Sequence, residues 1–139
     1  MIEDDFSFCM LGNVRRAARA VSRRYDREAR KIGMTAAQFS ALPLIREGKG
    51  KTTGELAELG SMERTTLVRN IALLQRKELV SASAAGRSKG KTYELTPKGE
   101  ALLEQAMPMW RKAQADLAAE LGIDTFHQII KSLQILSKV

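Results

Sequence analysis

The sequence is poor in residues that form disulfides, Cys/His metal sites and membrane spans. Its 139 residues include one cysteine and one histidine, which excludes an internal disulfide and leaves no Cys/His set for a metal. No stretch approaches the roughly 18 consecutive apolar residues of a membrane-spanning helix. The acidic start, MIEDDFSF, has no apolar run typical of a signal peptide. We therefore predict a soluble cytoplasmic protein that has no membrane partner.

Sequence motifs of enzymes are missing as well. There is no Gly-rich phosphate loop, nucleophile elbow or paired-carboxylate motif. His127 lies near the C-terminus without a second histidine or a nearby cysteine, and we interpret it as a surface or interface residue. We predict no enzymatic activity, no cofactor and no metal.

What the chain does contain is ordinary globular composition with an excess of basic residues. Hydrophobic residues make up 44% of the sequence, with three prolines and ten glycines, which indicates one folded domain. The net charge is +7, which favours a polyanionic partner. The excess lies in residues 1–34 (+3) and 35–96 (+4), whereas residues 97–139 are neutral. The C-terminal third is therefore expected to have a different role.

The first long segment, residues 8–32, has the spacing of an amphipathic helix. Apolar residues recur every three or four positions and mark one helical stripe, which consists of Leu11, Val14, Ala18, Val21, Tyr25 and Ala29. Seven arginines fill most of the remaining surface. We interpret most of these arginines as a solvated face rather than as a DNA contact.

The middle of the chain has the layout of a helix-turn-helix. Thr35 with Gln38, and Thr52 with Glu55, have the spacing of capping boxes that begin two helices. A break at residues 60–61 precedes a longer helix, predicted to begin near Met62. A short helix, a tight turn and a longer helix form this motif.

The periodicity then changes from helical to alternating. Residues 80–95 are predicted to form a two-stranded hairpin with a basic, glycine-containing tip. Thr96 and Pro97 begin the next helix, in which Pro108 predicts a bend. Gly122 ends that helix, and Asp124 is expected to cap the last one.

The helix that follows residue 62 is the candidate for reading DNA. With 100° per residue, Leu67, Ile71 and Leu74 form its buried stripe. The polar residues at its start and along its exposed side provide donors suited to phosphates and base edges, namely Arg64, Thr65, Thr66, Arg69, Asn70 and Arg76.

A cationic hairpin beside such a helix is the arrangement of a winged-helix reading head. The basic residues of the hairpin are Arg87, Lys89 and Lys91. Thr52 and Thr53, at the start of the short helix, complete the predicted contacts with double-stranded DNA.

Three segments in order resemble the MarR family of bacterial winged-helix transcriptional regulators. They read CMLGNVRRAARAVSRRYDREARKIGMTAAQFSAL, TTGELAELGSMERTTLVRNIALLQRKELV and KTYELTPKGEALL. Within the second segment, RTTLVRN (64–70) is similar to a common form of the family's recognition helix. The resemblance covers nearly the whole chain.

The resemblance implies a mainly α fold with a small β-hairpin wing. Residues 1–139 would form a single domain: a winged helix-turn-helix at about 35–96, and a helical dimerisation part at 1–34 and 97–139. It further implies a homodimer that represses transcription from a pseudo-palindromic operator and is released by a small phenolic or anionic effector. The candidate residues for an effector pocket are Arg15, Phe39, Met107 and Trp110.

The sequence departs from the family pattern in two places. The tip reads GRSKGK where the family usually carries an Asp-Arg-Arg-like signature, and Glu78 stands where glycine is most common. Two alternatives stay open. One is a redox-sensing regulator that acts through Cys9, at the start of the first helix. The other is a winged helix that serves protein contact or non-specific DNA binding.

Overall fold

The computed structural model describes residues 4–84 and 90–139. Within them the chain forms six α-helices and a two-stranded antiparallel sheet, in agreement with the predicted fold class. In chain order these are α1 (Met10–Ala29), α2 (Ala36–Glu47), α3 (Thr53–Leu59), α4 (Arg64–Arg76), β1 (Val80–Ala84), β2 (Lys91–Leu95), α5 (Pro97–Leu121) and α6 (Ile123–Leu136). Short 3₁₀ turns at Phe6–Phe8 and Arg30–Ile32 flank α1.

Three helices begin with the caps that the sequence predicts. Thr35 and Gln38 bond each other's backbone amides at 3.1 and 3.2 Å, and Thr52 and Glu55 do the same at 3.3 and 3.0 Å. The Thr96 hydroxyl accepts the Gly99 amide at 3.0 Å and caps α5. Each cap satisfies backbone donors that a helix start leaves without partners.

Two helix starts differ from the sequence prediction. The last helix begins at Ile123, with Gly122 as its N-cap at φ +84°. Asp124 is therefore not the cap, although its carboxylate lies in the first turn, where it complements the helix dipole. Helix α4 begins at Arg64 rather than near Met62, because the turn after α3 extends through Glu63.

The core lies where α2, α3 and α4 meet. Its largest fully buried side chains have at most 1% exposure and come from four helices: Leu42, Ile45, Leu56, Leu67, Ile71, Leu74 and Leu103. Pro43 lies inside α2 without ending it. The core therefore holds the helix-turn-helix and the start of α5 as one packed unit.

The wing attaches to this unit through its second strand. In the sheet, Val80 pairs with Leu95 and Ala82 with Tyr93. An isolated antiparallel bridge joins Thr52, at the start of α3, to Thr92 of β2. Strand β2 is thus tied to the start of α3.

The end of α4, the wing and the start of α5 pack closely around Leu79. A Cβ atom on Gly99 would lie 2.1 Å from the Leu79 carbonyl oxygen, so α5 can approach this closely only because residue 99 is glycine. Beside it, Glu78 adopts a left-handed conformation with φ +61°. This is the position where the sequence has a glutamate in place of the family's usual glycine.

We expect Glu78→Gly to stabilise the fold. A left-handed backbone costs a residue with a side chain about 1–2 kcal/mol, and glycine loses part of that gain to its larger unfolded-state entropy. The free energy of unfolding should rise by about 0.5–1 kcal/mol, measured by urea titration at fixed protein concentration. Glu78→Ala is the matched control, because alanine keeps the backbone strain. Equal stabilities of the two variants would contradict the expectation.

Large apolar side chains remain exposed at the two ends of the chain. Helix α1 packs against α5, and α5 against α6, yet of the predicted α1 stripe only Ala29 is buried. The most exposed members at the N-terminal end are Phe6 (92%), Phe8 (71%), Met10 (65%) and Leu11 (64%). In α6, Ile123, Ile129 and Leu133 are 56%, 41% and 48% exposed.

Candidate nucleic-acid interface and effector groove

Helix α4 presents its polar side outward, as the sequence predicts. Leu67, Ile71 and Leu74 are at most 1% exposed, and this fixes the rotation of the helix. The side chains that result at the surface are Arg64, Thr65, Thr66, Arg69 and Arg76, with Asn70 half-buried at the flank. Thr65, Arg69 and Arg76 thus lie opposite the buried stripe, whereas Arg64 lies on one flank and Thr66 and Asn70 on the other.

The arginines of α4 are available to bind an external anion. Among the described residues, no carboxylate lies within ion-pair distance of Arg64, Arg69 or Arg76. An unpaired guanidinium offers five donors in a planar fork, which suits a phosphate or the edge of guanine.

Val68 is a surface residue of α4 that the sequence analysis did not select. It is 47% exposed and lies about 100° from Leu67 around the helix. An apolar side chain at this position can contact the methyl group of thymine. Its position on the helical wheel, outside the buried stripe, is the sequence signal that predicts its exposure.

Thr52 and Thr53, which were predicted to contact DNA, both form hydrogen bonds within the fold, and only Thr53 is buried. The Thr53 side chain is buried (9% exposed), and its hydroxyl donates to the Tyr93 hydroxyl at 3.2 Å. The Thr52 hydroxyl is engaged with Glu55 in the capping box of α3. We correct the prediction for Thr53, because a buried side chain cannot reach a DNA surface.

Of the predicted wing residues, Lys91 is exposed at the start of β2, opposite Ala84 in the register. Arg87 and Lys89 lie outside the described residues. A hydrogen bond of 3.1 Å between the Ser83 and Thr92 hydroxyls joins the two strands. An ion pair at 3.5 Å joins Glu94 to Lys49 of the α2–α3 connection.

A groove lies between α1, α2 and α5. Its volume is about 670 Å³, and its walls are apolar and aromatic with a few polar groups: Val21, Ser22, Tyr25, Asp26, Arg30, Thr35, Ala36, Ala37, Phe39, Ser40, Pro43 and Trp110. Phe39 and Trp110 belong to it, as predicted. Arg15 does not line it, and Met107 packs against the core. Those two residues are therefore removed from the predicted pocket.

The polar groups of the groove are held in defined positions. The Tyr25 hydroxyl donates to Gln114 of α5, and burial raises the pKa of this phenol. The Asp26 carboxylate accepts the Ala36 amide at 2.6 Å, which ties α1 to the start of α2. Arg30 is the one cation among the groove's lining residues, so it is the group suited to an anionic ligand.

Cys9 forms part of the start of α1. Its sulfur accepts the Gly12 amide at 3.4 Å as an N-cap, and the residue is half-buried. The Asn13 amide group donates to the Cys9 carbonyl at 2.8 Å. These contacts give the cysteine a structural role in the fold.

The structure also bears on metals and membranes. In the described part of the chain, no group of three or more His, Cys, Asp or Glu residues is placed to hold a metal ion. None of the helices described combines the length and apolar character needed to cross a membrane.

A recognition helix with its polar side exposed, followed by a β-hairpin, defines a winged-helix DNA-binding protein. The sequence model of the MarR family matches residues 32–88. MosR of M. tuberculosis, solved in complex with DNA, is 38% identical over 94% of each chain, with a TM-score of 0.84. This chain belongs to the MarR family of transcriptional regulators, which confirms the resemblance found in the sequence.

More distant relatives share the fold. A mutant of E. coli MarR in complex with operator DNA is 23% identical over 97% of this chain and 99% of its own, with a TM-score of 0.83. BpsR of Bordetella bronchiseptica, whose DNA binding is regulated by 6-hydroxynicotinic acid, is 21% identical over 99% and 100%, with a TM-score of 0.84. A comparison with curated proteins gave no significant match.

Proposed function

We propose that this regulator is a dimeric repressor that binds a pseudo-palindromic operator and is released by a small aromatic anion. The observation that carries the proposal is the exposed, unpaired polar side of α4, since its apolar side is locked in the core. Two such helices, one per subunit, would read two half-sites about one helical turn apart.

Within this proposal, different elements contact the bases and the phosphate backbone. Arg69 and Thr65 lie farthest from the buried stripe of α4, so they would approach base edges, with Val68 as an apolar neighbour. The other α4 residues, Arg64, Thr66, Asn70 and Arg76, flank this line. The wing residues Arg87, Lys89 and Lys91 would hold the phosphate backbone and carry no sequence information.

We expect Arg69→Ala to weaken binding to the operator and to reduce sequence discrimination. Removal of an arginine–guanine contact costs about 1–3 kcal/mol, whereas binding to scrambled DNA should weaken much less. The measurement is a pair of titrations, with the DNA upstream of the protein's own gene and a scrambled duplex, at several salt concentrations.

Lys91→Ala is the matched control for a phosphate contact. It should weaken both DNAs alike and reduce the salt dependence by about one ion per subunit. If Arg69→Ala also weakens both DNAs equally, Arg69 holds a phosphate and is not the reading residue. A wild-type protein without preference for the upstream DNA would support the non-specific alternative.

The exposed apolar ends of the chain support the dimer. Large apolar residues exposed on a monomer can mark an interface, and both the first and the last helix carry them. We therefore assign residues 1–34 and 97–139 to dimerisation and residues 35–96 to DNA binding. A second copy of the chain would cover the apolar side of α1 and the exposed side of α6.

The dimer can be tested by light scattering at micromolar concentration. We expect twice the 15.4 kDa mass of one chain. Leu133→Glu places a charge on an apolar residue of α6 that is 48% exposed, so it should shift the protein toward monomer, because burying an unpaired charge is costly. Lys131→Glu is the control on the same helix and should leave the mass unchanged. A monomeric wild-type protein would refute the assignment.

The groove between α1, α2 and α5 is the proposed effector site. Tyr25, Phe39 and Trp110 offer aromatic contacts, and Arg30 offers a guanidinium for a carboxylate. Helix α2 begins the DNA-binding part, so a ligand that separates α2 from α5 would displace the recognition helix relative to its dimer partner. Such a displacement lowers affinity for an operator with fixed half-site spacing.

Trp110 is the only tryptophan of the chain, so its fluorescence reports on the groove directly. In a panel of hydroxybenzoates, we expect an active compound to change this fluorescence saturably and to release the operator over the same concentration range. Arg30→Gln should weaken both effects about tenfold or more, because it removes a charge-assisted contact, whereas Lys131→Gln should change neither. Release of DNA by a compound that leaves the Trp110 signal unchanged would place the effector elsewhere.

A further inference from the structure

Helix α1 carries a stripe of arginines that the proposed operator contact does not use. With Arg23 at the origin and about 100° per residue, five arginines fall within about 40° on either side. This arginine stripe consists of Arg16, Arg19, Arg23 and Arg27 of α1 and Arg30 of the 3₁₀ turn that follows it, all of them exposed. Helix α1 contains no lysine. Five arginines aligned along one side of a helix are a more specific arrangement than basic residues scattered over a surface.

The arginine stripe is unpaired, although acidic residues lie near it. Among the described residues, none of the five has an ion pair, whereas the neighbouring Arg24 bonds both oxygens of Glu120. The carboxylates closest along the helix are already engaged. Asp26 accepts the Ala36 amide, and Glu28 pairs with Lys31 at 2.8 Å.

The nearby acidic groups of α5 are held in the same way. Lys112 bonds Asp116 at 2.7 Å, and this hydrogen bond lowers the pKa of the Asp116 carboxyl. The hydrogen bond from Arg24 likewise lowers the pKa of Glu120. Ion pairs thus join α1 to α5 beside the stripe and leave its five guanidinium groups available to an external polyanion.

The arginine stripe points away from the proposed dimer interface. On the same wheel the apolar stripe of α1 lies about 120° or more from Arg23. Val14 and Val21, for example, lie about 160–180° away. A partner subunit that covers the apolar side of α1 therefore leaves the arginines on the outside of the dimer.

The length and chemistry of the arginine stripe match a nucleic-acid backbone. Arg30 lies 14 positions after Arg16, a span of about 21 Å, which corresponds to about six base pairs of a duplex measured along its axis. Arginine binds phosphate with two parallel hydrogen bonds, a geometry that lysine lacks. A stripe of this length can therefore reach several phosphates on one face of a duplex.

We propose that the arginine stripe binds the phosphate backbone of a second DNA duplex without regard to sequence, so that one dimer bridges two DNA segments. DNA is favoured over an acidic protein as the partner because members of this family bind DNA. A DNA-bound regulator is surrounded by further DNA, whose phosphates are the most abundant polyanion there. The bridge rests on the proposed operator binding by α4, but the arginine stripe can fail independently of it. This assignment replaces the solvated face that the sequence alone favoured.

The test uses two duplexes and a charge-matched pair of variants. A duplex from upstream of the protein's own gene is immobilised and saturated with the full-length protein. A scrambled 30-base-pair duplex carrying a fluorophore is then added, and its capture is measured. The test variant is Arg16→Gln/Arg19→Gln/Arg23→Gln. The control is Arg111→Gln/Lys131→Gln/Lys138→Gln, which removes three positive charges from exposed sites on α5, on α6 and near the C-terminus.

We expect wild type and control to capture the second duplex, and the test variant to capture at least about tenfold less. The slope of its salt dependence for the second duplex should fall by about 0.9 for each phosphate no longer neutralised, or about three in total for three arginines. Binding to the immobilised duplex and the urea midpoint should not change in either variant, which separates this effect from misfolding and from a failure of operator reading.

Each other outcome overturns a defined part of the proposal. If wild type does not bind the first duplex, operator reading fails and the stripe is tested on the scrambled duplex alone. There, equal binding by the two variants would overturn it. Binding to the first duplex without capture of the second, or equal capture by both variants, also overturns it. If polyglutamate competes better than DNA at equal charge concentration, and only against proteins that keep the stripe, the partner is an acidic polypeptide and the DNA assignment is wrong.

Discussion

The packing of α4 against α2 and α3 decides what this protein can present to DNA. Because side chains leave a helix every 100°, locking Leu67, Ile71 and Leu74 in the core forces Thr65 and Arg69 outward. A rotation by half a turn would expose three leucine-sized side chains and bury an unpaired guanidinium, and both changes are costly. The chemistry of the exposed side of α4 therefore depends on hydrophobic contacts on the opposite side of the same helix.

Polar contacts extend this control to the wing and to α1. The Thr53–Tyr93 hydrogen bond and the Thr52–Thr92 bridge fix strand β2 against the start of α3. On the other side, Asp26 bonds the start of α2. Surface ion pairs between α1 and α5 contribute little stability individually. They engage Glu120 and Glu28, and among the described residues the arginine stripe has no ion pair.

Features that depend on neighbours within one or two helical turns could be predicted from the sequence. The capping boxes at Thr35 and Thr52 and the buried stripe of α4 rest on such spacings, and the structure has them. Asp124 was a wrong local prediction, since Gly122 adopts a positive φ and caps the last helix two residues earlier. The α1 stripe was correctly periodic, but periodicity does not state whether the chain itself or a second copy covers a face.

The sequence by itself determined the fold class, the family and the side of α4 that is exposed, because regular spacing and capping chemistry act over a few residues. Tertiary structure alone decided that Thr53 is buried under the wing, that Phe39 and Trp110 share a groove with Tyr25, and that Arg15 and Met107 do not. Phe39 and Trp110 are far apart in the chain and meet only when α5 packs beside α2. Contacts of this kind depend on how helices pack against one another, which the periodicity of each helix does not encode.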